Sequence, residues 1–221
     1  MNPIQGLPHR CNAAGRLLRT GLANGACERA RTNGGRTCVG GIASKNQLRM
    51  SFLRWATVTV PAILLLGFAA GRAVPVGDES RWYQALVKPA LTPPGWVFPV
   101  AWSSLYILLG LALAMILHAR GARGRGLAIG VFVVQFVLNL TWTPLFFGAH
   151  QVRMAVLVIV AMLVLSIVAT VLFARIRTVA AWLMVPYMVW ISFAGVLTFS
   201  IGRLNPNAET LVPAARTSQM L

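Results

Sequence analysis

From Ser51 onward the sequence is a series of apolar stretches, and this pattern constrains the fold more than any other feature. Each stretch has the length of about 20 residues that a helix needs to cross roughly 30 Å of hydrocarbon. Of all residues, 57% are hydrophobic and 11% are charged, which is too few charges to cover a soluble domain of this size. The pattern therefore predicts an integral membrane protein.

Five such stretches follow one another, and they predict an all-α membrane protein, a bundle of five transmembrane helices. Their approximate bounds are 52–71, 96–119, 127–147, 152–174 and 179–201. An aromatic and proline-rich loop, residues 81–99, joins the first helix to the second. Proline fixes φ and lacks an N–H, so this loop cannot be a continuous helix, and we expect it to cap one end of the bundle. We assign residues 51–205 to the five-helix domain and expect 206–221 to be a loose tail.

Residues 1–50 are basic and contain all three cysteines of the chain. We expect a disordered N-terminal extension. Two alternatives stay open: an Arg-rich, acid-poor transit peptide, or a natural translation start at Met50. The cysteine spacings match no zinc pattern, so no metal site is predicted.

The net charge of +16 does not indicate a nucleic-acid partner, because of where the charges lie. Nine of the twenty Lys and Arg residues precede Trp55, and the others lie at the ends of the apolar stretches. Basic residues beside membrane spans are typical of multi-pass membrane proteins. The preference for arginine over lysine suggests a GC-rich bacterial genome, and hence a bacterial cell envelope membrane.

The predicted spans carry almost no ionisable groups. Between Arg125 and Arg153 the sequence contains neither an acid nor a base except His150, and between Arg177 and Arg203 it contains no ionisable group except Tyr187. Ion pumps, proton relays and voltage sensors need charged side chains inside the membrane. No set of catalytic residues for hydrolysis can be assembled either. These function classes are therefore disfavoured.

Aromatic and amide side chains instead recur at helical spacing on three spans, which places them on common faces. They are Trp102 and Tyr106 on the second span, Gln135, Asn139, Trp142 and Thr143 on the third, and Tyr187, Trp190, Ala194 and Thr198 on the fifth. An apolar cavity with a few polar groups suits a planar hydrophobic ligand. The alternative is that the amides join helices and the aromatic residues form an interfacial belt. Three of the residues, Gln135, Asn139 and Trp190, lie well inside their spans, which weakens the belt interpretation.

Four motifs are more specific than this spacing. The longest is Trp82-Tyr83-x-x-Leu86-x-Lys88-Pro89-x-x-x-Pro93-Pro94, followed by Trp96-Val97-Phe98-Pro99-x-x-Trp102-x-x-Leu105-Tyr106. The others are Gln135-x-x-x-Asn139-x-x-Trp142, Pro186-Tyr187-x-x-Trp190-x-x-Phe193-Ala194 and Leu204-Asn205. Over residues 52–205 the chain resembles the TspO/MBR family, the tryptophan-rich sensory proteins related to the translocator protein.

The resemblance implies a dimeric five-helix membrane receptor or carrier that binds porphyrins such as protoporphyrin IX and haem, and also sterols. It links this binding to tetrapyrrole transport or to stress and pigment regulation, and it requires no cofactor. Carried over by motif position, together with Gln135 from the spacing, the ligand-binding residues are Tyr83, Pro93, Phe98, Trp102, Tyr106, Gln135, Asn139, Trp142, Thr143, Trp190 and Ala194.

Two departures from the family pattern bear on the alternative function. Leu91 occupies a loop position where many members have tryptophan, and Leu197-Thr198 replaces a common Leu-Asn. The alternative is an enzyme that degrades porphyrin with light and oxygen, with tryptophans as redox participants. Loss of the ring at Leu91 disfavours it, so we expect a binding protein rather than an enzyme.

Overall fold

The computed structural model describes residues 45–211, and within them five helices are long and apolar enough to span a membrane. The helices are α1 (Lys45–Arg72), α2 (Val97–His118), α3 (Arg125–Thr143), α4 (Val152–Ile176) and α5 (Thr178–Leu204). The predicted all-α five-helix architecture is confirmed. Most of the predicted N-terminal extension, with its three cysteines, and residues 212–221 of the predicted tail lie outside the described residues.

The third helix ends earlier than the apolar stretch suggests. Helix α3 stops at Thr143, and Pro144–Gly148 forms one wider turn in which the Ala149 N–H donates to the Pro144 carbonyl at 2.9 Å. Proline has no N–H to continue the α-helical pattern, which explains the change of winding at this point. His150 then takes a positive φ of 57° and turns the chain into α4.

The loop between α1 and α2 contains a short helix, Arg81–Ala85, which we call the loop helix. The Ser80 hydroxyl caps it by accepting a hydrogen bond from the Tyr83 N–H at 3.3 Å. From Leu86 to Trp96 the described backbone contains turns and extended residues but no helix, as its prolines require.

Helix α1 crosses α2 at close range because glycine lies at the crossing. The Thr59 hydroxyl donates to the Gly110 carbonyl at 2.8 Å, and a Cβ at Gly110 would lie 2.7 Å from the Val60 Cα. Nearer the loop, the ring of Tyr106 occupies the space that a Cβ at Gly67 would need. Small residues let membrane helices approach in this way, and here they close the seam between α1 and α2. Helices α2, α3, α4 and α5 pack around the main apolar core.

Candidate ligand-binding site

A layer of polar side chains lies inside the bundle, with residues from α2, α3, α4 and α5. We call it the inner polar layer; it consists of Tyr106, Gln135, Asn139, Ser166 and Tyr187, all buried. The Gln135 Oε1 accepts hydrogen bonds from the Tyr187 hydroxyl at 3.0 Å and from the Ser166 hydroxyl at 3.3 Å. The Asn139 Oδ1 accepts one from the Tyr106 hydroxyl at 3.1 Å. The periodicity of α3 thus places both amides on the inner face, as predicted.

Trp102 covers this layer from α2. Its ring centroid lies 5.3 Å from that of Tyr106 and 6.4 Å from that of Tyr187, and the side chain is half-buried. Such tilted and edge-on contacts are favourable for aromatic pairs. The layer therefore combines hydrogen-bonding groups with a broad aromatic surface.

Three buried side-chain nitrogens have no hydrogen-bond partner among the described residues: the Gln135 Nε2 and the Trp142 Nε1 on α3, and the His118 Nδ1 at the C-terminal end of α2. The two on α3 are hydrogen-bond donors. A buried donor without a partner costs about 1–3 kcal/mol, so such groups are rare in native structures. An acceptor atom of a ligand or a water molecule at these two positions would remove that cost.

The second group of aromatic residues lies where the loop helix meets the ends of α4 and α5. We call it the cap; it consists of Trp82, Tyr83, Leu86, Phe146, Val152, Ala155, Leu197, Ile201 and Ala208. Trp82 is 2% exposed and donates from Nε1 to the Ala208 carbonyl at 2.8 Å. Its ring stacks on His150 at 4.5 Å and meets Phe146 edge-on at 5.3 Å. The loop thus closes one end of the bundle, as its proline content suggested.

Tyr83 is the predicted site residue in this cap. Its ring meets Phe147 edge-on at 5.4 Å, and the Lys88 Nζ lies 4.7 Å from the ring centroid, a cation–π contact. Burial raises the pKa of the Tyr83 phenol, which lies outside the five long helices, and the Asp78 carboxylate raises it further. Tyr83 is therefore a neutral hydroxyl at physiological pH and can donate a hydrogen bond.

Asn205, just beyond α5, fastens the loop by pairing with its backbone. The Val87 N–H donates to the Asn205 Oδ1, and the Asn205 Nδ2 donates to the Val87 carbonyl, both at 2.9 Å. This reciprocal pair ties the loop to the end of the bundle.

Trp142 links the cap to the main core. Its ring stacks on Phe146 at 5.1 Å with an interplanar angle of 7°, and it packs against both apolar clusters. The next residue, Thr143, is half-buried at the end of α3.

An open groove of about 500 Å³ lies between α2 and α5, and Pro93 of the loop forms part of its wall. We call it the α2–α5 groove; its lining residues are Pro93, Ala101, Ser104, Leu105, Leu108, Pro186, Val189, Trp190 and Phe193. Of the eleven predicted site residues, Pro93 and Trp190 line it. Trp190 also meets Phe98 edge-on at 6.0 Å. Ala194, one turn further along α5, is half-buried, and its carbonyl accepts from the Thr198 hydroxyl at 2.8 Å.

Nine of the eleven predicted residues lie in or against three places, the inner polar layer, the cap and the α2–α5 groove. Thr143 and Ala194 belong to none of the three. The structure adds residues that motif transfer omitted, above all Tyr187 and Ser166. Tyr187 stands in the same helical register as Trp190 and Ala194, so spacing already marked it. Ser166 carries a hydroxyl group in the middle of the very apolar helix α4. This isolated polar residue could have indicated a polar contact inside the bundle.

Comparison with known proteins places this geometry in context. A family model described as the TspO/MBR family matches residues 58–204. Protein CrtK of Rhodobacter capsulatus is 38% identical over 158 residues, which cover 70% of this chain and 98% of that protein. Tryptophan-rich protein TspO of Chlorobaculum tepidum is 43% identical over 146 residues, covering 65% and 90%. The human translocator protein is 30% identical over 142 residues, covering 63% and 84%.

Proposed function

Since this chain belongs to the TspO/MBR family of multi-pass membrane proteins, we propose that it binds tetrapyrroles such as protoporphyrin IX or haem between the cap and the inner polar layer. The family consists of membrane proteins of receptor or transporter type. Binding of such a ligand would give the protein a role in tetrapyrrole transport or in stress and pigment regulation.

The observation that carries the proposal is the pair of unpartnered donors on α3. The Gln135 Nε2 and the Trp142 Nε1 are buried next to aromatic rings rather than next to acceptors. A ligand that satisfies them must combine acceptor atoms with an apolar body. A tetrapyrrole with carboxylate side chains has both properties, which is why this class fits better than a simple hydrocarbon.

Aromatic side chains near the two donors provide contacts for the apolar body of the ligand. The Trp102 ring packs against those of Tyr106 and Tyr187, and nearer the cap the Trp142 ring stacks on Phe146. Flat rings gain affinity by stacking on such surfaces. Tyr83 in the cap can donate a hydrogen bond to the polar edge of the ligand.

The test is quenching of tryptophan fluorescence of the purified full chain by protoporphyrin IX in the dark. We expect saturable quenching in the wild type and weaker binding in Asn139→Leu and Trp102→Ala. The matched control is Trp182→Ala, because Trp182 is 69% exposed and contacts neither group of site residues. Linear quenching, or equal binding by all variants, would contradict the proposal. Thermal unfolding of each variant shows whether it is folded.

The same preparation distinguishes binding from porphyrin degradation. A binding protein leaves the Soret band unchanged under light, whereas an enzyme bleaches it in a saturable way that Trp102→Phe abolishes. Leu91 is 69% exposed and brings no indole to the loop, so we expect an unchanged spectrum.

The proposal extends to the protein's surroundings. We expect sterols as further ligands, a homodimer in the bilayer, and a bacterial cell envelope as the resident membrane. Cross-linking of the chain in native membranes tests the dimer, and fractionation of those membranes tests the location.

A further inference from the structure

The α2–α5 groove runs from the lipid-facing surface into the seam between two membrane-spanning helices. Its lining includes Val189 at 64% exposure on the outside and Leu105 at 6% on the inside. The groove has a volume of about 500 Å³, which lies within the range of ligand pockets. It is therefore larger than an ordinary gap between packed helices.

The lining is uncharged and almost entirely apolar. None of its nine described residues is charged, and its polar side-chain groups are the Ser104 hydroxyl and the Trp190 indole N–H. The Ser104 hydroxyl already donates to the Val100 carbonyl at 3.0 Å, so it has no proton left to donate outward. A charged headgroup or a carboxylate would find no cation in this lining to pair with.

The surroundings of the groove indicate which apolar molecule can occupy it. Both bounding helices span the membrane, and exposed apolar residues such as Val100 and Val189 continue the groove into the lipid-facing surface. Water has few hydrogen-bond partners there, and the hydrocarbon of the bilayer lies at the same level. We propose that the α2–α5 groove is a specific binding site for one acyl chain of a bilayer phospholipid.

This site has a consequence for the ligand site through Trp190. The Trp190 ring forms part of the groove wall and also meets Phe98 at 6.0 Å. An acyl chain in the groove thus contacts a residue of the predicted tetrapyrrole site and supports its orientation. This consequence rests on the proposed function, whereas the acyl-chain site does not.

The experiment places the full chain in detergent micelles with increasing fractions of phosphatidylcholine brominated in the middle of its acyl chains. The Trp190 contribution to fluorescence is obtained by subtracting the signal of Trp190→Phe. We expect it to be quenched in a saturable way at low lipid fraction. The exposed Trp182, measured by the same subtraction with Trp182→Phe, reports ordinary surrounding lipid and should be quenched in proportion to the lipid fraction.

Filling the groove provides the decisive variant. Ser104→Leu adds side-chain volume inside it, and Val133→Leu adds volume on the lipid-facing side of α3 as the matched control. We expect Ser104→Leu to abolish the saturable component and Val133→Leu to retain it, with thermal unfolding confirming that both fold. Proportional quenching of Trp190 in the wild type, or saturable quenching that survives in Ser104→Leu, would overturn the proposal. So would a cross-linked dimer whose contact covers the groove, since a second copy would then be its occupant.

Discussion

The inner polar layer and the cap both hold aromatic residues of the predicted site, but they hold them by different kinds of hydrogen bond. In the inner polar layer, side chains bond to side chains, as Tyr187 and Ser166 do with Gln135. In the cap and the loop fastened beside it, side chains bond to backbone, as Trp82 does with Ala208 and Asn205 with Val87. The first group lies inside the bundle, and the second lies at its end, near the aqueous boundary.

The difference determines what happens when a bond is lost. Inside the bundle no water replaces a missing partner, so a single deletion leaves an unsatisfied polar group. At the end of the bundle water can replace a lost partner, and the cap depends more on buried aromatic volume. Substitutions should therefore act through cavities in the cap and through unpaired polar groups in the layer.

The largest effect is expected for Trp82→Ala, which empties the centre of the cap. Trp82 is 2% exposed, stacks on His150 and meets Phe146 edge-on, and truncation of a buried Trp or Phe costs about 3–5 kcal/mol. Thermal unfolding of the purified protein in detergent measures the loss. The control is Trp182→Ala, which removes the same ring from a position that is 69% exposed and should change stability by about 0.5 kcal/mol or less. Equal effects would mean that the cap does not contribute to stability.

The next effect is expected in the inner polar layer. Gln135→Leu leaves the Tyr187 hydroxyl buried without its acceptor, which should cost about 1–3 kcal/mol. Ser166 should be less affected, since its hydroxyl also donates to the Met162 carbonyl at 2.7 Å.

A double-mutant cycle sharpens this point. Combining Gln135→Leu with Tyr187→Phe removes both partners together, and the double variant should be more stable than Gln135→Leu alone. Additive losses in thermal unfolding would show that the two side chains are not coupled.

A smaller effect is expected where the loop is fastened. Asn205→Ala removes both hydrogen bonds to the Val87 backbone, and water can replace them, so we expect a loss of about 1 kcal/mol. Hydrogen exchange of residues 81–96 should become faster, while exchange in α3 and α4 stays the same. Asn207→Ala, an exposed asparagine two residues further on, is the control and should leave the loop unchanged. Faster exchange throughout the bundle would contradict a local role for Asn205.

The contrast also explains how much the sequence could predict. The 3.6-residue period alone placed Gln135 and Asn139 on the inner face of α3, because helical geometry fixes which residues share a face. The hydrogen bond from Trp82 joins residues that are 126 positions apart, and no local pattern encodes such a contact. Asn205 was recognisable as a motif residue, but its partner Val87 depends on how the loop folds back. Similarly, the change of winding at Pro144 follows from proline, yet the apolar run continued past it to Phe147.

The smallest effect is expected for the cation–π contact between Lys88 and Tyr83 of the cap. Lys88→Gln removes the cation above the Tyr83 ring, and a contact of this kind is worth about 0.5–1 kcal/mol at an exposed site. Lys88→Arg keeps a cation that binds aromatic faces well and should keep wild-type stability. The unfolding temperature should therefore fall in Lys88→Gln alone, and by less than in Asn205→Ala. If both substitutions lower it equally, the geometry of the lysine rather than its charge supports Tyr83, and the cap would resemble the inner polar layer in depending on specific pairing.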